Sequence, residues 1–134
     1  IMAIKEESVT DQKNSLTVCL DNILRHAGIT RNTEYDLAQG KTAIQILEEN
    51  MIGVQVLDLS GCSLDAVLYY VNQDIPVLAI LEDGEAVLVT GFNEFNVVIM
   101  EPSTGKLYKK GMNDATTWFA ENGNHFISYM KIDN

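Results

Sequence analysis

The sequence predicts an α+β domain in which N-terminal helices pack on a C-terminal antiparallel sheet. The first half of the chain carries apolar residues at three- and four-residue steps, the pattern of helices with one buried face. The second half carries short apolar runs separated by turn signals such as Asp83-Gly84, the pattern of hairpin strands. Because runs of helices precede runs of strands, an α+β fold is favoured over alternating β-α-β units.

Length and composition fit one folded domain. The chain has 134 residues, of which 46% are hydrophobic, so it can bury roughly two-thirds of its unfolded surface. We therefore expect residues 1–134 to form a single domain. Because the sequence opens with Ile1, we expect it to be a piece of a larger protein. No apolar run approaches the roughly 20 residues of a membrane span, so we expect no membrane insertion of this domain.

Charge and the count of metal-ligating residues exclude several functions. The formal net charge is −10, whereas a nucleic-acid-binding protein needs a basic footprint, so no nucleic-acid partner is expected. The one basic cluster, Lys106, Lys109 and Lys110, is interpreted as a solvated strand edge, with a small anion-facing patch as the alternative. Two cysteines and two histidines are too few and too scattered for a zinc site or a disulfide framework. We expect no metal and no cofactor.

The helices of the first half are predicted from their caps and apolar faces. The longest runs from Ser15 to Gly28, with Asn14 or Ser15 as its N-cap. Thr42 begins another, which ends near Asn50, and a glutamine three residues after the threonine completes a capping box. The remaining predicted elements of this half are a helical turn at 33–39, an extended segment at 54–57 and a helix that begins after Ser63.

The second half is predicted to contain strands and one short helix. Asn113 is expected to cap that helix, which carries Trp118 and Phe119 and ends at Gly123. The predicted strands are 76–81, 85–90, 96–100, 106–110 and 126–132.

Three segments of this half resemble a known peptidase family. Residues 84–91 (GEAVLVTG) resemble the segment that carries the catalytic His of the bacteriocin-processing, or double-glycine, peptidases, family thirty-nine of the cysteine peptidases. Residues 97–102 (VVIMEP) resemble the segment that carries the catalytic Asp of that family, and Pro76-Val77 resembles the opening of its central strand. The resemblance extends from Gln12 to about Met130 and implies the papain-like cysteine peptidase fold.

The positions that the resemblance makes catalytic hold other residues in this chain. In register, Ser15 stands at the nucleophile position, Glu85 at the base position and Glu101 at the orienting position. Gln12 corresponds to the oxyanion-hole glutamine, at a shorter spacing than in the family. A carboxylate with a pKa near 4.3 is a poor acceptor for an alcohol proton and cannot become the imidazolium that protonates a leaving amine. A laboratory replacement of Cys by Ser at position 15 would not account for the missing imidazole.

Other residues with reactive side chains have simpler interpretations. Cys19 lies on the apolar face of the first helix and Cys62 precedes a helix cap, so both are interpreted as packing residues. His26 lies near a helix C-terminus, where a cation is favourable. A pairing of His125 with Ser15 is disfavoured, because in the family the base precedes the acidic residue. A cation held between Glu85 and its acidic neighbour at position 101 is a further alternative.

Three functions are consistent with these residues. The leading hypothesis is a non-catalytic pseudo-peptidase domain, not an enzyme, that binds a peptide or partner protein in the remnant cleft between the Ser15 helix and the strand beginning at Glu85. The first alternative is a hydrolase with Ser15, Cys19 or Cys62 as an unconventional nucleophile. The second is a structural module of a larger bacterial protein. The resemblance favours the bacterial extracytoplasmic surface as its location, with the cytoplasm as the alternative.

Overall fold

This computed structural model describes residues 14–132 of the 134-residue chain. The helices of this part are α1 (Ser15–His26), α2 (Glu34–Ala38), α3 (Ala43–Asn50), α4 (Leu64–Asn72) and α5 (Met112–Glu121). The strands are β1 (Val54–Asp58), β2 (Val77–Ile80), β3 (Ala86–Phe92), β4 (Asn96–Glu101), β5 (Lys106–Gly111) and β6 (His125–Lys131). Within these residues, no helix has both the length and the apolar character that crossing a membrane requires.

The strands form one antiparallel sheet in the order β1-β6-β2-β3-β4-β5. β2 to β5 follow one another as a meander, and β6 returns to lie between β1 and β2. The predicted α+β class with an antiparallel sheet is therefore confirmed. The extended segment predicted at 54–57 is β1, and the short helix predicted before the last strand is α5.

Helices cover both faces of the sheet and create two apolar cores. On one face, α1 and α3 pack on a core whose largest members include Leu20, Ile23, Leu24, Ile46, Leu47 and Leu78. On the other face, α4 and α5 pack on a core that includes Leu64, Val67, Val77, Ile99, Phe119 and Phe126. Because side chains alternate between the faces of a strand, the uninterrupted apolar runs of β2 and β3 are what a sheet covered on both sides requires.

The helix starts follow local capping signals. The side chain of Asn14 caps α1 by accepting a 2.8 Å hydrogen bond from the N–H of Thr17. Ser15 is therefore the first helical residue and not the cap, which leaves its hydroxyl available for another partner. Thr42 and Gln45 form the predicted capping box of α3, and Ser63 caps α4 as predicted.

The predicted cap of the last helix is wrong. Asn113 lies inside the first turn of α5, which begins at Met112 and follows Gly111 with no side-chain cap. The reason is a tertiary contact, since the N–H of Met112 donates a 2.8 Å hydrogen bond to the carbonyl of Phe95 in the β3–β4 turn. One of the unpaired N–H groups of the helix start is thereby satisfied by another part of the chain.

A buried carboxylate anchors the loop between α1 and α2. Asp21 is 5% exposed, and its Oδ1 accepts hydrogen bonds of 2.9 Å from both the N–H and the hydroxyl of Thr33. Thr33 is itself fully buried. The contact fixes the chain that leaves α1 relative to the middle of the helix.

Candidate functional site

The first residue of α1 contacts the first residue of β3. The Oγ of Ser15 accepts a 2.7 Å hydrogen bond from the N–H of Ala86, a residue 71 positions later in the chain. Ala86 is 1% exposed and pairs with Ile80 of β2. The structure thus places the hydroxyl at the start of α1 against the strand that immediately follows Glu85.

Glu85 closes the β2–β3 hairpin through its backbone. Its N–H donates a 2.9 Å hydrogen bond to Oδ1 of Asp83, and its carbonyl accepts a 2.7 Å hydrogen bond from the N–H of Leu81. The residue as a whole is exposed. Glu85 therefore lies in solvent at the edge of the α1–β3 contact.

Glu101 ends β4 and begins the turn that follows. Its carboxylate accepts hydrogen bonds from the N–H and the hydroxyl of Ser103. Burial raises the pKa of the Cys19 thiol to about 12, and the negative charge of Glu101 contributes to the same shift. The pKa of Tyr108 is also raised, by burial first and by this charge second. The negative charge of Glu101 thus acts on the thiol of Cys19, in the second turn of α1.

The three residues lie at one end of the sheet but are not joined to one another. β3 begins where its antiparallel neighbour β4 ends, so Glu85 and Glu101 share that end with Ser15. In residues 14–132, no hydrogen bond links the side chains of these three residues. Gln12 lies outside the residues that the structure describes.

Neither histidine is hydrogen-bonded to a serine or a cysteine within the described part of the chain. Nε2 of His26 lies 2.9 Å from the backbone carbonyl of Asp74, at the far end of α1 from Ser15. His125 is exposed and pairs with Ile80, which places it two strands, about 10 Å, from Ala86. An imidazole in contact with the Ser15 hydroxyl is thus missing from the described residues.

A cleft of about 280 Å³ lies between α1 and β3, and we call it the helix cleft. Its apolar floor consists of Pro76, Leu88 and Met100, and its polar rim includes Asn22, Arg25 and Thr90. Asn22 follows Ser15 by seven residues, or about 10 Å along the helix. The helix cleft therefore lies between the two elements predicted to form the remnant cleft, but further along them than Ser15.

A second cleft of about 370 Å³, the hairpin cleft, lies beside the β2–β3 turn. Its apolar wall includes Ile44, Ile80 and Ile127, and its rim includes Asp58, Glu82 and His125. The pKa of Asp58 is lowered, mainly because the side chain and the backbone N–H of Ser60 hydrogen-bond to its carboxylate. The rim of this cleft is accordingly acidic.

Sequence reasoning did not find the residues that line either cleft. Arg25 and Thr90 are 65 positions apart, and no motif links an exposed arginine on a helix to an exposed threonine on a strand. Thr90 lies where the pairing of β3 with β4 shifts register, between Val89 and Gly91, and this shift is visible only in the structure. Across residues 14–132, no group of three or more His, Cys, Asp and Glu residues could hold a metal ion.

The N-terminal helix is seated by its first residue on an antiparallel sheet, the arrangement that the sequence predicted. A crystal structure from Bacillus anthracis, described as that of a candidate C39-like peptidase, is similar with a TM-score of 0.75. The alignment covers 92% of this chain and 91% of the other, at 16% sequence identity. No protein-family model and no curated protein matches the sequence. The chain therefore has the C39-like fold.

Proposed function

We propose that this chain is a non-catalytic peptidase-like domain that binds an extended peptide in the helix cleft. The observation that carries the proposal is the contact between Ser15 and Ala86. The hydroxyl at the nucleophile position accepts a hydrogen bond from a backbone N–H and, among the described residues, has no imidazole beside it. In this proposal Ser15, Glu85 and Glu101 are vestigial catalytic positions.

The chemistry of the three candidate nucleophiles supports this proposal. A serine hydroxyl needs a matched general base to lose its proton, and the exposed carboxylate of Glu85 is too weak a base. The Cys19 thiol is fully buried and its pKa of about 12 keeps it protonated at neutral pH. Cys62 packs against the core under α4 and α5, on the opposite face of the sheet from α1.

The shape and composition of the helix cleft support peptide binding. An apolar floor with a few polar groups on the rim is the usual composition of a ligand site. Leu88 and Met100 are 2% and 6% exposed, so the floor is firmly packed. Thr90 is exposed at the mouth of the cleft, next to the register shift in β3. An apolar side chain of an extended peptide could be buried there while its backbone contacts the polar rim.

Peptide binding and its location are tested together. Fluorescein-labelled, unstructured peptides of varied sequence are titrated with the protein and followed by fluorescence anisotropy. Thr90→Arg, which obstructs the cleft, should weaken binding at least tenfold. Thr117→Arg, a matched change at an exposed position of α5 on the opposite face of the sheet, should leave it unchanged. Glu85→Lys tests whether the peptide also reaches the hairpin end of α1. Absence of binding, or equal binding by both arginine variants, overturns the proposal.

The hydrolase alternative predicts a different result. Thiol- and serine-directed electrophiles are added to the native protein, and adducts are read by intact mass. We expect slow labelling only. Rapid labelling of one residue that disappears on its substitution by Ala would favour the hydrolase, whereas neither labelling nor peptide binding would favour a structural module.

A further inference from the structure

We infer that Arg25 binds a carboxylate of the ligand, so that the helix cleft selects a peptide residue with an apolar side chain next to a carboxylate group. The inference rests on the proposed function in one respect, namely that the ligand is a peptide. The features that carry it are the free edge of the Arg25 guanidinium, the apolar floor beside it and the lack of competing partners.

The guanidinium of Arg25 has no carboxylate partner among residues 14–132. Its Nη1 donates a 3.1 Å hydrogen bond to Oδ1 of Asn22, and this bond orients the guanidinium. Its other N–H groups have no protein acceptor in this part of the chain. By contrast, Arg31, the other arginine, is bonded to Asp36 at 3.0 Å and also to Asn50. A planar fork with a free edge matches the geometry of a carboxylate.

The end of α1 does not need Arg25 as a cap. The C-terminal carbonyls of a helix lack partners within the helix and attract cations. Here the carbonyl of Leu24 accepts hydrogen bonds from Ala27 and Ile29 at 3.0 and 2.8 Å, and that of Arg25 accepts one from Gly28 at 2.9 Å. Gly28 adopts a φ of 87°, the left-handed conformation that such an ending requires. The backbone therefore satisfies these carbonyls without the guanidinium.

The carboxylate of Asp74, which lines the cleft, lies beside His26. Oδ2 of Asp74 lies 3.6 Å from Nε2 of His26, and the Asp74 side chain is 92% exposed. It is directed to the histidine and to water, and no ion pair with Arg25 is formed. A ligand carboxylate would thus meet the guanidinium without first displacing a protein carboxylate.

The cleft beside Arg25 accepts one apolar side chain. Pro76, Leu88 and Met100 form its buried floor. Its volume of about 280 Å³ is slightly smaller than that of ligand sites, which span about 300–1,000 Å³. Such a space suits a single residue and not a long segment. The net charge of the chain is −10, so the protein as a whole repels a carboxylate. Binding of a carboxylate here therefore depends on the guanidinium of Arg25.

The test uses N-acetyl-leucine and its uncharged analogue N-acetyl-leucinamide as probes. Each is titrated at millimolar concentration into the ¹⁵N-labelled protein, and the backbone resonances of Thr90 and Met100 and the Nε–H resonance of Arg25 are followed by NMR. The acid should shift all three saturably, with at least fivefold higher affinity than the amide. Arg25→Gln should remove that preference, and Arg25→Lys should keep part of it. Lys110→Gln, which removes one positive charge over Trp118 on the opposite face, should preserve it in full.

Peptides then separate the two sources of the carboxylate. Hexapeptides that end in Leu with a free carboxylate are compared with amidated ones that carry Asp next to an internal Leu. Preference for either peptide over an amidated peptide without Asp supports the inference and identifies the source of the carboxylate.

Equal affinity of N-acetyl-leucine and N-acetyl-leucinamide, or no saturable shift with either probe, overturns the inference. If peptides bind without any carboxylate preference, the proposed function stands and this inference fails. If N-acetyl-leucine binds but no peptide does, the carboxylate site stands and the peptide function fails.

Discussion

Ser15 and Ala86 are joined by a hydrogen bond of 2.7 Å that spans 71 residues of sequence. It links the start of α1 to the start of β3, the two positions that the family resemblance of the sequence assigns to a nucleophile and a base. In this chain the contact fixes the hydroxyl as an acceptor for a backbone donor. This hydrogen bond should therefore contribute to the stability of the domain, which can be measured.

Ser15→Ala should destabilise the domain. The substitution removes the acceptor of the N–H of the buried Ala86, which costs about 1 kcal/mol. Urea denaturation followed by circular dichroism measures the change. Ser103→Ala, at an exposed hydroxyl bonded to Glu101, is the control and should change the stability by less than about 0.5 kcal/mol. Equal stabilities of the two variants would mean that the α1–β3 hydrogen bond contributes nothing.

The thiol of Cys19 should make the fold less stable in alkali. Its pKa is about 12 in the folded protein, against 9.0 for an ordinary thiol. Below pH 9 both states keep the proton, so the stabilisation is complete. Above pH 9 the unfolded state releases its proton first, and stability falls as the pH rises towards 12. We expect a loss of about 1 kcal/mol between pH 8 and pH 10.

The control for this pH dependence is Cys19→Ala. The variant is less stable at every pH because it leaves a cavity in the core. It should nevertheless lose less stability than the wild type between pH 8 and pH 10. The pKa values of Tyr108 and Tyr129 are also raised, but both tyrosines are present in both proteins. Parallel curves for the two proteins would contradict the assignment to Cys19.

Asp21→Ala should be among the most destabilising polar substitutions. It leaves the buried N–H and hydroxyl of Thr33 without their acceptor, at a cost of about 2–3 kcal/mol. Asp21→Asn keeps an oxygen in the same place and should cost clearly less. Chemical denaturation of the two variants measures the difference, and a larger loss for the Asn variant would refute this role of the loop anchor.

Ser15→Cys combined with Glu85→His should create an activated thiol. If these residues occupy the nucleophile and base positions, an imidazolium beside the new thiol at the helix N-terminus lowers its pKa. In a Cys62→Ala background, iodoacetamide at pH 6 should then label position 15 about tenfold faster than in the variant that carries Ser15→Cys alone. Glu82→His, another exposed position of the hairpin, is the matched control and should give no acceleration. Equal rates with His at 85 and at 82 would remove the basis for the vestigial assignment.

The sequence predicted those parts of the fold that depend on local signals. The capping box of Thr42 and Gln45 and the Ser63 cap lie within four residues of the helices that they start, so pattern alone is enough. Asn113 failed as a cap because the carbonyl of Phe95 already satisfies the first N–H of α5. That contact depends on the β3–β4 turn meeting the end of β5, which no local pattern contains.

The candidate site was predictable only in part, for the same reason. The family pattern directed attention to Ser15 and Glu85, and the fold brings the ends of their elements together. The helix cleft depends on how α1 lies across β3, so the relation of Arg25 to Thr90 becomes visible only once the helix is packed. Asn14 or Ser15 was expected to cap the first helix; Asn14 does so, and the acceptor role of Ser15 is set by a strand 71 residues away.

The most direct test of the central claim is to recover a bound peptide after prolonged incubation. A peptide that binds in the helix cleft is mixed with the purified protein at neutral pH, and the mixture is followed by mass spectrometry for a day. The account predicts that the peptide stays intact, because no imidazole contacts the Ser15 hydroxyl among residues 14–132. Cleavage by the wild type that is lost in Ser15→Ala would contradict it.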